Sequence, residues 1–74
     1  MLLKDLQSRD VVNVVDGSKL GKITDFEIDF ETGKILEFTV SKQRSLFKFG
    51  EEKIVLQWDK IEKIGGEVII VNYN

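Results

Sequence analysis

Ser8, Ser18, Ser41 and Ser45 are the serines that nucleophilic chemistry would have to use. A serine attacks only when a base takes its proton, and the usual base is missing because the chain contains His 0. No Gly-x-Ser-x-Gly elbow presents any of them on a strained turn. Ordinary loop serines are the consistent reading, and no catalytic residue is assigned. Metal chemistry meets the same obstacle. Without histidine, and with Cys 0, the chain lacks the common nitrogen and thiolate ligands and forms no disulfide. No glycine-rich phosphate loop of the Walker or dinucleotide type occurs. The expectation is a protein that is not an enzyme and uses no metal or cofactor.

The carboxylates offer a second candidate. Asp25, Glu27, Asp29 and Glu31 alternate along the chain, with Glu37 placed beside them. Same-face neighbours on a strand stand roughly 6 to 7 Å apart, too wide to share an ion without a wrapping loop. A solvated outer face accounts for the stripe, with docking of a basic partner as the alternative. Trp58 stands at the end of an alternating run, where a lone tryptophan packs under the adjacent turn, here against Ile61.

The stretch SKQRSLFKFG, residues 41–50, is different. It sets Leu46, Phe47 and Phe49 among Lys42, Arg44 and Lys48 and contains no carboxylate. Aromatic anchors ringed by cations have the composition of a binding hot spot. Three readings compete: rings folded back beside Ile54, contact with a protein that includes a second copy of this chain, and stacking on single-stranded RNA.

The totals set the frame. Seventy-four residues hold one domain, 1–74, whose core is near the lower limit for independent folding. Without disulfides or metal, self-association as a homodimer is the remaining route to more buried area. Lysine and arginine number 11 against 13 aspartates and glutamates, so the formal charge of -2 argues against DNA. MLLKDLQSRD lacks the apolar core of a signal peptide, and no apolar run approaches the roughly 20 residues that span a bilayer. Membrane insertion is not expected, and the cytoplasm is the expected location.

The elements that would position these residues are mostly strands, because the apolar period is mostly two. VVNVV (11–15) is a β-branched run closed by Asp16-Gly17. Residues 20–30 form the next strand, with Phe26, Ile28 and Phe30 on one side. Ile23 is out of phase with that set, so a bulge near Thr24-Asp25 is required, and it bends the strand as a small barrel needs. A three-residue loop, Glu31, Thr32 and Gly33, pairs Ile28 with Leu36 and Phe26 with Phe38. It also sets Glu27 opposite Glu37, a like-charge pair with a cost unless a cation sits nearby. EKIVLQW (52–58) is a fourth strand with Ile54 and Leu56 inward. A short helical turn near 59–64 is capped by Asp59 and ended by Gly65 and Gly66. EVIIVNY (67–73) is a fifth strand, central or covered on both faces, and LLKDLQ makes one helical turn using Leu3 and Leu6. Five to six short strands in so few residues point to an all-β small barrel, since closure removes exposed edges.

VVNVVDGSKLGKITDFEIDFETGKILEFTV and IVLQWDKIEKIGGEVIIV, in this order and spacing, resemble a PRC-barrel domain of the short, sporulation-associated YlmC/YmxH-like branch. The resemblance implies a small β-barrel serving as a non-catalytic adaptor for a protein partner, as in the reaction-centre H subunit and the ribosome maturation factor RimM. It supplies no catalytic motif. One departure concerns 42–50, which is richer in glycine and arginine in that branch. The partner-binding residues expected here are Leu46, Phe47, Phe49, Lys42, Arg44 and Lys48. A ribosome- or RNA-associated accessory role for the same loop is the alternative.

Overall fold

The apolar alternation resolves into one six-stranded sheet with little helix, the all-β class that the sequence predicts. The computed structural model describes residues 1–43 and 51–74. A helical turn, α1 (Leu3–Gln7), precedes β1 (Asp10–Asn13), β2 (Lys19–Ile28), β3 (Ile35–Gln43) and β4 (Glu51–Gln57). A 3-10 turn (Trp58–Lys60) leads into β5 (Ile61–Ile64), and β6 (Val68–Val71) follows. The sheet order is β4-β3-β2-β1-β6-β5. The strands at its two ends, β4 and β5, are consecutive in the chain and joined by the 3-10 turn. Asn72 N–H donates to the Lys60 carbonyl at 2.9 Å beside that junction.

One core sits inside the curl. Val11, Ile23, Phe38, Val40, Leu56, Ile69 and Val71 come from five strands, and Leu6 of α1 joins them. Leu20, Phe26, Ile54, Trp58 and Ile61 pack around this group. The inward placement of Leu56 and Ile54 follows from the period, and so does the bulge that shifts β2 against β3 between Ile23 and Asp25. β6 lies between β1 and β5, pairing in parallel with β1, so it is central in the sheet as its apolar run predicts.

Gly21 shows why a glycine is needed in β2. Its φ is 132°, and a Cβ there would stand 2.2 Å from the Ser41 carbonyl oxygen. Neither the conformation nor the space admits a side chain. This close approach lets β2 curl onto β3 near the base of the hairpin.

Several expectations are corrected. The strand expected over 11–15 stops at Asn13, and Val14 and Val15 are exposed in the turn. The cause is Asn13 itself, whose amide oxygen accepts from Val15 N–H and Tyr73 N–H while its amide donates to the Tyr73 carbonyl. A buried polar side chain finds its partners by turning the chain aside. The helical turn expected at 59–64 is a 3-10 turn at Trp58–Lys60, and Ile61–Ile64 is a strand paired with β6. Sheet pairing satisfies those backbone groups where a cap by Asp59 would have satisfied only the first turn. In α1, Leu6 is buried but Leu3 is exposed.

The β2–β3 connection has the largest consequence. Phe26↔Phe38 and Glu27↔Glu37 pair as the expected register requires, but Ile28 pairs with Ile35 and not Leu36. Asp29 N–H donates to the Lys34 carbonyl, so the loop is 30–33, with Gly33 at φ 73° and its N–H on the Asp29 carbonyl. The Asp29 carboxylate accepts from the Glu31 and Thr32 amides and stabilises this wider turn. Phe30, expected inside, is therefore in the turn.

Candidate functional site

The β2–β3 hairpin is longer than the strands that flank it. β1 pairs with β2 only as far as Lys22, and β4 pairs with β3 only as far as Glu37. Beyond those positions the hairpin is a two-stranded overhang. Its apolar residues have no strand to cover them: Ile28 and Leu36 are about half exposed, and Phe30 is 100% exposed. An exposed apolar cluster of this kind is unusual where single exposed residues are the norm.

Beside the overhang lies a groove of about 470 Å³ lined by Ile35, Leu36, Glu37, Gln57, Trp58 and Asp59. Trp58 forms its apolar wall. The ring packs edge-on against Phe38 with centroids 6.1 Å apart and planes at 87°. Trp58 packs against the core as expected of a lone tryptophan, but its ring contact is Phe38 and the expected helical turn over it is absent.

The acidic stripe is partly committed to local structure. The Asp25 carboxylate accepts from the Phe26 amide at 2.9 Å, and Asp29 serves the turn. Hydrogen bonds from the Glu31 and Thr32 amides hold the Asp29 carboxyl below its ordinary value. At the β1–β2 turn the Ser18 hydroxyl and amide do the same for Asp16. Among the described residues no group of three or more carboxylates converges to hold a metal.

At the opposite end of β3 stands Lys42, one of the residues that the sequence singles out. Lys42 is exposed, pairs across the ladder with Glu52, and reaches the Lys19 carbonyl at 3.4 Å. Arg44, Leu46, Phe47, Lys48 and Phe49 lie outside the described residues. The β3–β4 ladder reaches Gln43 and Glu51.

Sequence reasoning passed over the overhang because it assigned Ile28 and Phe30 to the inner face. A usable signal was present in the mismatch between VVNVV, interrupted by Asn13, and the ten-residue run of β2. Asn13 was missed too. A single amide amid β-branched residues is the mark of a buried hydrogen-bond hub, and it ties the first turn to the segment after β6.

Over residues 1–74 the chain matches the family model described as PRC-barrel domain. It is 41% identical over 71 residues to the probable sporulation protein YlmC of Bacillus subtilis, covering 93% of this chain and 88% of that one. An uncharacterized protein of Clostridium acetobutylicum is 38% identical over 69 residues, covering 90% and 78% of the two chains. No helix among the described residues is long and apolar enough to cross a membrane.

Proposed function

Because the chain belongs to the PRC-barrel family, we propose that it is a non-catalytic adaptor that docks a protein partner in the cytoplasm. The observation that carries this reading is the overhang, where Phe30, Ile28 and Leu36 present apolar surface that the chain itself leaves unused. Desolvating one phenylalanine contributes about 1.5 to 3 kcal/mol by area, more than an exposed rim charge. Rings therefore dominate affinity, and charges set its salt dependence. A role in sporulation follows by likeness to the Bacillus relative's name.

The 42–50 segment supplies a second docking surface in this proposal. Leu46, Phe47 and Phe49 are its anchors, while Lys42, Arg44 and Lys48 steer an acidic partner. A homodimer through the same rings is one form of that contact. Three cations without a carboxylate over 41–50 also favour RNA as the second reading.

Photocrosslinking in cells from position 30 and position 47, with an exposed control at Glu67, tests the proposal. Protein adducts that survive RNase, absent from the control, are expected. No adduct above the control at either position would remove the adaptor reading. Adducts lost to RNase at position 47, with a steep salt dependence in pull-down, would favour RNA. Sedimentation of the protein against a Phe47→Ser, Phe49→Ser variant reads the dimer: a lighter variant is expected, and equal monomeric masses rule out self-association through these rings.

A further inference from the structure

The groove beside the overhang combines two chemistries that together define an occupant. Ile35, Leu36 and Trp58 make its lining apolar, whereas Glu37 and Asp59 make it acidic. Glu37 faces Glu27 directly across the strand pair. Asp10 pairs with Lys19 and Lys22 at the other end of β2, and neither Glu27 nor Glu37 has an ion pair with another described residue. Like charges set opposite each other on a strand pair favour a cation brought between them.

We infer that this groove receives a basic protein segment, an arginine or lysine adjoining an aliphatic or aromatic side chain. The apolar side chain lies against Leu36 and Trp58. The cation donates to Glu37 and Glu27, and arginine suits that pair better because its planar fork reaches two acceptors. Lys34 and Lys60, the nearest cations along the chain, are exposed. This inference rests on the adaptor reading and adds the chemistry of the partner.

The test is titration of the isotopically labelled protein with the peptide Arg-Phe-Arg-Leu-Arg, acetylated and amidated, beside its counterpart with glutamate in place of arginine. The expected result is saturable amide shifts at Leu36, Glu37, Trp58 and Asp59 with the arginine peptide alone. A Glu27→Gln, Glu37→Gln variant that keeps the remaining spectrum should lose affinity about tenfold. Equal binding of both peptides, shifts confined to other surfaces, no saturation, or unchanged affinity in the variant would each overturn the inference. An acidic protein crosslinked from position 30 would overturn it while leaving the adaptor reading intact. Saturable peptide binding without any crosslinked protein in cells would instead sink the adaptor reading.

Discussion

Phe38 and Phe30 belong to the same hairpin, yet Phe38 is 1% exposed and Phe30 is 100% exposed. Phe38 has Phe26 beside it on β2, Leu56 beside it on β4 and the edge of the Trp58 ring against it. Phe30 has passed the ends of both flanking strands. In a curled sheet a residue is buried when strands stand on both sides and the far wall closes over it. Alternation supplies the facing, and lateral neighbours supply the cover. The body of the barrel has both, whereas the overhang has only the first.

The sharpest way to break this comparison is to truncate both rings. Phe38→Ala should cost about 3 to 5 kcal/mol, because it leaves a cavity among Ile23, Val40 and Leu56. Phe30→Ala should stay within about 0.5 kcal/mol of the parent. Urea midpoints for the two variants measure the difference, and similar shifts would mean that the tip is covered in solution.

Gly21→Ala comes next, at about 3 kcal/mol destabilising, from backbone strain and from the clash with the Ser41 carbonyl. Gly33→Ala, in the overhang turn, meets no atom within 4 Å and bears only the cost of its positive φ, about 1 kcal/mol. Thermal denaturation of the pair would show whether close approach matters in the body and only conformation at the tip.

Glu27→Gln should stabilise the free protein by about 0.5 kcal/mol by removing the repulsion across the overhang. No gain, or a loss, in chemical denaturation would show that the pair is already relieved in the free chain.

The smallest effect is that of pH. Asp16 and Asp29 accept amide hydrogen bonds, so each has a lower pKa folded than unfolded. Such a group favours folding while it is ionised. The contribution is present above the unfolded value and fades as pH falls through the folded one, so the loss belongs below about pH 4. Asp29→Ala should flatten part of that acid dependence by loosening the overhang turn, and Asp16→Ala should do so at the base. Urea midpoints between pH 2.5 and pH 6 would register either change. An unaltered slope in both variants would dissociate the turns from acid stability.

The amino-acid order by itself determined the all-β class, the bulge at Thr24, the facing of Ile54 and Leu56, and the opposition of Glu27 to Glu37. These are local consequences of a two-residue period and of turns whose glycines admit positive φ. Only the tertiary structure decided that Asn13 stops β1, that Ile61–Ile64 pairs as a strand, and that Ile28, Phe30 and Leu36 stand in the open. Those outcomes depend on which strand lies beside which and where each one ends. Periodicity specifies the direction in which a side chain points and carries no record of what stands there to meet it.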